Sequence, residues 1–356
     1  MSKFTIDITQ SILRLGVVFL ALCSLCRICI AQDQPVMTIR VSQQELANLA
    51  VFSPDGTKLL TCGNSCVLWD VATGERVKTF RQEWGGISAA AFSPDGRYAI
   101  TGAYIYEAVL WDLQTGEAIH KFISPSVDGP YLFPDPMVGV AFSPDGQKVM
   151  TGDTHGILQV WDVHTGEEIR RYERYAAGFF PGFTSMPNGV ELIGSIEGNG
   201  FNIFNVETGE QSSRLRSCIV RKSFSLSRDG TIILTDCGRL YDTDTGKMLR
   251  DFSMDASHGP NSVALSPDGK LAILGSASNA GHTYPRMIFN ADDGTLLRSH
   301  PLSGETGDPH SLDKQVLFAP DGKRYITING DTSVYFWDIS DLAAGVKKAE
   351  EYEKRE

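Results

Sequence analysis

Cysteines are the residues of this 356-residue chain whose spacing first suggests chemistry. Cys62 and Cys66 flank a three-residue hairpin loop that would place them opposite each other on paired strands. Cys218 and Cys237 fall close together if the strands on either side of the turn at 227–230 pair with each other. In an oxidising compartment both pairs are candidate disulfides; the alternative is that they are buried thiols that fill small gaps in a core.

Other polar groups that could bind a metal or act in catalysis do not form a complete site. The segment Asp242-Thr-Asp244 resembles the start of a calcium loop, but Phe252 stands where that loop needs an acidic ligand. No nucleophile elbow, HExxH, P-loop or dinucleotide fingerprint occurs. Four histidines come from separate repeats and lack the close spacing of zinc ligands: His155, His258, His282 and His310. We therefore expect no metal, no cofactor and no enzymatic activity.

The first 31 residues have the pattern of a secretory signal peptide. Lys3 and Arg14 precede the apolar run 15–26, which is shorter than the ~20 residues that a membrane-spanning helix needs. Ala31 supplies a small residue at a cleavage position. Three cysteines inside this segment lack a fourth metal ligand: Cys23, Cys26 and Cys29. We predict that residues 1–31 are removed and that the mature chain is exported, periplasmic or extracellular, without a membrane span. The alternative is an uncleaved segment that anchors the protein to the envelope.

The charge balance excludes one class of partner. The chain has 32 Lys and Arg residues against 43 Asp and Glu residues, a net charge of -11 that would repel a phosphate backbone. The composition, 42% hydrophobic and 21% charged, is that of an ordinary globular protein. Nucleic acid is therefore not an expected partner.

A Ser-Pro-Asp-Gly turn recurs along the chain, and the elements around it define the fold. Its glycines are 39 to 53 residues apart, a period typical of a β-propeller, in which each repeat forms one blade. Proline presets the backbone for the turn and glycine supplies its left-handed position. Copies of this turn stand at 52–56, 92–96, 142–146 and 265–269, and weaker copies with one or two substitutions at 186–189, 227–230 and 318–322 bring the total to seven.

Each repeat contains four predicted strands, which we name a to d in chain order. Strand a enters the turn, strand b leaves it, and strand c ends in an aromatic residue followed by Asp or Asn. A Thr-Gly or Asp-Gly turn then leads to strand d in six repeats. The ends of strand c are Trp69-Asp70, Trp111-Asp112, Trp161-Asp162, Phe204-Asn205, Tyr241-Asp242, Phe289-Asn290 and Trp337-Asp338.

These turns and Trp-Asp pairs resemble the WD40-repeat family, in its bacterial-type, exported form, over almost all of the chain from Val36 to Ile339. The resemblance implies an all-β, seven-bladed propeller of four-stranded antiparallel blades that usually serves as a platform for protein partners. One departure is that the family's Gly-His pair is missing after strand d, where Gln82-Glu83 and Ser124-Pro125 stand. The buried Trp-Ser/Thr-His-Asp network of the family therefore cannot form in full.

Strand counting predicts how the ring closes. The seventh repeat ends at Ile339 without a strand d, while the segment from Val36 to Val41 precedes the first repeat without a blade of its own. We expect this N-terminal segment to complete the last blade, because closure removes unpaired strand edges. The propeller would then span 36–340 and be a monomer. Residues 341–356 form a charged C-terminal tail that we expect to be solvated.

An antiparallel meander sends alternate connections to the same end of the ring. The a–b and c–d turns share one end, here named the turn face, and the d–a and b–c loops share the other, named the loop face. The loop face carries every insertion, and function on a rigid scaffold tends to lie in such loops. Its aromatic residues are the predicted protein-binding residues, because aromatics anchor many interfaces: Trp84, Tyr104, Tyr106, Tyr131, Phe133, Phe179, Phe180 and Tyr284.

The sequence thus predicts a non-catalytic scaffold that binds a protein or peptide through the loop face. The alternative is a propeller enzyme or a small-ligand-binding protein that uses the central channel. That alternative requires charged side chains of several blades to converge on one pocket.

Overall fold

The computed structural model describes residues 34–82, 86–104, 107–123, 137–153, 156–172, 182–196, 200–215, 223–252, 260, 262–279, 282–300 and 312–344. These residues form seven four-stranded antiparallel sheets and one added two-stranded hairpin. The predicted seven-bladed β-propeller is confirmed. Within the same residues, the structure holds no helix that is long and apolar enough to span a membrane.

The first three blades follow the predicted meander. Blade 1 contains β2 (Leu49–Phe52), β3 (Lys58–Cys62), β4 (Cys66–Asp70) and β5 (Arg76–Phe80). Blade 2 contains β6 (Ile87–Phe92), β7 (Tyr98–Ala103), β8 (Glu107–Asp112) and β9 (Ala118–Ile123). Blade 3 contains β10 (Met137–Phe142), β11 (Lys148–Asp153), β12 (Leu158–Asp162) and β13 (Glu168–Tyr172).

Blades 4 and 5 keep the same order with shorter strands a. Blade 4 contains β14 (Phe183–Ser185), β15 (Glu191–Ile196), β16 (Gly200–Asn205) and β17 (Gln211–Leu215). Blade 5 contains β18 (Phe224–Leu226), β19 (Ile232–Thr235), β20 (Arg239–Asp242) and β21 (Met248–Asp251).

Blade 6 carries a feature that sequence reasoning did not predict. It contains β22 (Val263–Leu265), β23 (Leu271–Leu274), β26 (Arg286–Asn290) and β27 (Leu296–His300). Its b–c loop adds a small hairpin of β24 (Ala277–Asn279) and β25 (His282–Tyr284). Blade 7 contains β28 (Asp313–Phe318), β29 (Arg324–Asn329), β30 (Ser333–Asp338) and the N-terminal β1 (Met37–Arg40), and a helical turn follows at 340–344.

The N-terminal strand closes the ring as expected. β1 pairs antiparallel with β30, and Ile39 lies opposite Val334 in the register. Ile39 is buried in a cluster with residues of blade 1, including Trp69, and of blade 7, including Phe336. This strand therefore covers the edge of β30 and joins blades 1 and 7 through one core.

The core lies between neighbouring blades. One cluster, for example, packs Leu68 of blade 1 against Trp111 of blade 2. Strands a line the centre of the ring, where β2 lies against both β6 and β28. Strands d lie at the outer rim, and β13 is exposed over most of its length. This gradient fits a radial sheet that is covered on both faces by its neighbours.

The Ser-Pro-Asp-Gly turns are held by short-range hydrogen bonds. Ser53 Oγ donates to Asp55 Oδ1 (2.6 Å) and accepts from Lys58 N (2.9 Å). Gly56 adopts φ 71°, which favours a residue without a Cβ. The five turns that begin with serine are thus specified by residues within five positions of one another, and this explains why they are readable in the sequence.

Candidate protein-binding surfaces

Tyr104 is the predicted loop-face residue that the structure places most clearly. It follows β7 and is 49% exposed. Its backbone N–H donates to Gly86 O (3.1 Å). A Cβ at Gly86 would lie only 3.2 Å from the Tyr104 ring, so the ring lies against the Gly86 backbone. Tyr104 is therefore an exposed aromatic on a supported backbone.

Of the other predicted aromatics, the structure describes one, Tyr284. Tyr284 is half-buried at the end of β25, where it pairs with Ala277. It therefore presents less surface than Tyr104. Six further predicted residues lie outside the described part of the chain: Trp84, Tyr106, Tyr131, Phe133, Phe179 and Phe180.

A disulfide closes the hairpin beside Tyr104. Cys62 and Cys66 are bonded to each other, and both are fully buried. The loop between them ties two neighbouring segments together: Asn64 N donates to Glu45 O (2.8 Å), and Ile87 N donates to Gly63 O (2.6 Å). The hairpin thus connects the segment between β1 and β2 with the first strand of blade 2.

The segment between β1 and β2 is held by an ion pair as well. Arg76 donates from both terminal nitrogens to the Glu45 carboxylate, each at 2.7 Å, and Ser42 Oγ donates to the same carboxylate (2.9 Å). Burial opposes ionisation of Glu45, but the bonds from Arg76 and Ser42 outweigh it and lower its pKa. A Cβ at Gly63 would lie 2.6 Å from Leu46 O, so the hairpin and the segment are in close contact.

Cys237 is also disulfide-bonded. Its predicted partner, Cys218, lies outside the described residues. Cys237 follows β19 and is half-buried at the b–c turn of blade 5. Its position is therefore equivalent to that of the hairpin cysteines in blade 1, on the loop face.

We expect the Cys62→Ala/Cys66→Ala variant to fold but to lose about 2 kcal/mol of the free energy of unfolding, because the short loop gains entropy in the unfolded chain. Urea denaturation followed by circular dichroism measures this loss. As a control, the wild type and the variant should have nearly equal stability when both are denatured in strong reductant, which also opens the disulfide of Cys237 in each. Equal stability of variant and oxidised wild type would show that the hairpin needs no crosslink.

The buried tryptophans retain the Trp–Thr bond of the hydrogen-bond network named above. Trp69 Nε1 donates to Thr61 Oγ1 at 2.8 Å, linking strands c and b of blade 1. The same bond forms at 2.8 to 3.1 Å in blades 2, 3 and 7. It satisfies the indole N–H inside the core, where an unpaired donor would be costly.

Prolines and glycines of successive turns meet around the turn face. A Cβ at Gly56 would lie 3.4 Å from Pro320, which shows how closely each turn packs on the previous one. Six of the seven turn glycines face such a proline. The exception is Gly269, which faces Ser227 and Ile232, because Arg228 replaces proline in the turn of blade 5.

A cavity opens at the turn face on the axis of the ring. It has a volume of about 420 Å³ and is lined by residues of blades 1, 5, 6 and 7, so it spans the channel rather than one blade. Arg228 is the charged residue of its lining. The lining comprises Val51, Phe52, Pro54, Ser225, Leu226, Arg228, Leu265, Pro267, Leu317, Phe318 and Pro320.

Sequence reasoning missed this cavity, although a signal was present. Aligning the seven turns shows that proline occupies the second position in six of them and Arg228 in one. What the alignment does not show is that Leu226 and Phe52, far apart in the chain, line the same space.

The aspartates of the turns make the turn face acidic. In each case the serine hydroxyl of the turn donates to the carboxylate, and this bond holds the pKa of the aspartate below its usual value. These carboxylates therefore stay ionised at neutral pH, and their hydrogen bonds stabilise the turns. They are Asp55, Asp95, Asp145 and Asp229.

No group of three or more potential ligands that could hold a metal occurs in the part of the chain that the structure describes. Asp242, the start of the calcium-like segment, accepts hydrogen bonds from the N–H (2.7 Å) and hydroxyl (2.6 Å) of Thr245. Bonding to the Thr245 hydroxyl lowers the pKa of Asp242. This aspartate is thus a turn residue of blade 5.

The fold is a seven-bladed β-propeller built from repeated turns, and comparison with known proteins finds similarity to WD40 repeats in part of the chain. Residues 74–104 and 134–162 match the WD40 family profile, "WD domain, G-beta repeat". The chain is 34% identical over 82 residues to the human (Homo sapiens) Intraflagellar transport protein 122 homolog, a match that covers 23% of this chain and 6% of that protein. It is 39% identical over 82 residues to the WD repeat-containing protein WDS homolog of Arabidopsis thaliana, covering 21% of this chain and 16% of that protein. Both relatives are eukaryotic, and the matches span less than a fifth of either one.

Proposed function

We propose that this propeller is a non-catalytic scaffold that binds a protein or peptide partner through the loop face. The observation that carries the proposal is the placement of Tyr104, an exposed aromatic whose backbone is bonded to Gly86 and lies beside a disulfide-closed hairpin. An aromatic on a rigid support buries a large area on binding and loses little conformational entropy. The WD40-class propeller is consistent with such a role.

We further propose that the protein is exported. The signal-like segment 1–31 supports this, and so does the Cys62–Cys66 disulfide, since structural disulfides persist in oxidising compartments. Mass spectrometry of the protein purified from its native host measures the mature N-terminus. A chain that begins after residue 31 supports cleavage and export, whereas an intact N-terminus in the envelope fraction supports the anchored alternative.

The test of the loop face is a cross-linked pull-down of the tagged mature chain from an envelope fraction. We expect Trp84→Ala/Tyr104→Ala/Phe179→Ala/Phe180→Ala to lose more than about 90% of the captured partner, because each truncation removes an interface anchor. Thermal unfolding should change little. A matched control, Val77→Ala/Ile119→Ala/Ile169→Ala, removes exposed apolar side chains from the outer rim and should keep the partner.

Equal capture by the wild type and a folded loop-face variant would contradict the proposed face. Loss of capture in the outer-rim control would indicate that the partner binds to strands d at the outer rim. Capture of no protein by the wild type would favour the second hypothesis, a small ligand or substrate in the central channel.

A further inference from the structure

The turn-face mouth of the channel has the features of a separate ligand site. Apolar side chains of blades that lie apart in the ring, such as Phe52 of blade 1 and Leu226 of blade 5, line its cavity. A volume of about 420 Å³ is within the range of sites for small ligands and peptide side chains. Burial of an apolar group here would be favourable by the hydrophobic effect.

Arg228 lies at the edge of this cavity, and its guanidinium has no counterion among the described residues. Its backbone N–H donates to Pro267 O (3.1 Å), which holds the residue in the turn. Within the described residues its guanidinium has no hydrogen-bond or ion-pair partner, and the side chain is exposed. A guanidinium in this state can donate two parallel hydrogen bonds to a carboxylate.

The carboxylates near Arg228 each bind another group of the protein. Asp229 accepts from the hydroxyl of its own turn, Ser227 (2.6 Å). Asp268 does the same with the hydroxyl of Ser266 (2.7 Å), and Asp321 pairs with Arg324 (3.0 Å). The cation at the cavity mouth is therefore available to an anion from outside the chain.

A second cavity continues from the first across the same edge. It has a volume of about 440 Å³ and shares Arg228, Pro267 and Pro320 with the channel cavity. Its lining adds polar groups of both signs, Asp321 and Lys323 among them. Polar groups at this position suit a peptide backbone, whereas an alkyl chain would leave them unused.

We propose that the turn face binds the C-terminus of a peptide whose last residue is large and apolar. The last side chain fills the channel cavity, the terminal carboxylate pairs with Arg228, and the preceding residues cross the second cavity. The acidic turns around the mouth favour a basic residue upstream in that peptide. This site lies on the opposite face from the proposed partner surface and does not depend on it.

The test uses four fluorescein-labelled hexapeptides that carry one upstream lysine and end in Val, Leu, Ile or Phe. Each is made with a free C-terminus and as a C-terminal amide, and binding to the mature protein is followed by fluorescence anisotropy. We expect at least one free-acid peptide to bind saturably, with a Kd below about 1 mM. Both amidation and Arg228→Gln should weaken that binding at least about tenfold. The two changes together should weaken it little further, because they remove the same contact.

Arg97→Gln is the matched control, since it removes an exposed turn-face cation that is bonded to Asp112 away from the cavity. Its binding should stay within about twofold of the wild type, and thermal unfolding checks that both variants are folded. The proposal is overturned if no free-acid peptide saturates, if amides bind as well as acids, or if folded Arg228→Gln binds like the wild type. If no peptide binds but decanoate does, and its binding depends on Arg228, the ligand of this site is a fatty acid and the peptide proposal is overturned.

Discussion

Replacing Asp313 by alanine is expected to lower the free energy of unfolding by about 3 to 5 kcal/mol, because it leaves the buried guanidinium of Arg286 without its counterion. Both residues are 1% exposed. Arg286 donates to the two oxygens of Asp313 at 3.0 and 2.6 Å. The pair joins β26 of blade 6 to β28 of blade 7, so its loss weakens the contact between two blades.

The surroundings of this pair show why it cannot relax into water. The guanidinium carbon of Arg286 lies 4.6 Å from the centroid of the Trp337 ring, a cation–π contact. Ser276 donates its hydroxyl (2.9 Å) and its backbone N–H (2.8 Å) to Asp313 Oδ2. Burial raises the pKa of the neighbouring Tyr325 to about 12. Burial alone would lower the pKa of Arg286, but the Asp313 charge outweighs it and the pKa is raised.

Chemical denaturation measures the free energy of unfolding of Asp313→Ala, and Asp251→Ala serves as its control. Asp251 forms the exposed pair with Arg239 (3.1 Å), which should contribute less than about 1 kcal/mol. The double variant Arg286→Met/Asp313→Leu should recover much of the loss, because apolar groups can replace a buried pair. An Asp313→Ala variant within about 1 kcal/mol of the wild type would mean that solvent reaches Arg286.

The second large effect concerns the strand that closes the ring. Ile39→Ala is expected to cost about 2 to 4 kcal/mol, because Ile39 is 2% exposed and packs between blades 1 and 7. Thr38→Ala, on the exposed side of the same strand, should change stability by less than about 0.5 kcal/mol. Urea denaturation of both variants gives the comparison.

Gel filtration adds a readout that a simple packing defect would not change. If β1 detaches, the edge of β30 becomes available for pairing with other chains, and Ile39→Ala should self-associate at lower denaturant concentrations than the wild type. Equal stability of the two variants would show that closure does not depend on the packing of Ile39.

Much of the fold was predictable because its signals are local. The turn at Ser53 to Lys58 is held by bonds within six residues, and the same set recurs from Ser93 to Tyr98. Counting these turns predicted seven blades, and the unpaired segment from Val36 predicted the closing strand. The hairpin at Cys62 was readable for the same reason, since a short loop brings its two ends together.

The candidate sites were predictable only in part. Tyr104 was named from its loop and is exposed, but the added hairpin β24 to β25 beside Tyr284 was not foreseen. Arg286 and Asp313 were not predicted to pair, because 27 residues separate them in the chain and they belong to different blades.

The sequence by itself determined the number of blades, the position of each turn and the order of strands, because neighbouring residues make the bonds that define them. Only the tertiary structure decided which residues of distant blades meet. In the sequence, Arg228 is visible only as a residue that replaces proline in one of the seven turns. It becomes the cation of an apolar cavity because ring closure brings Phe52, Leu226 and Phe318 around the same axis. No local pattern encodes such a contact, since its geometry depends on all seven blades at once.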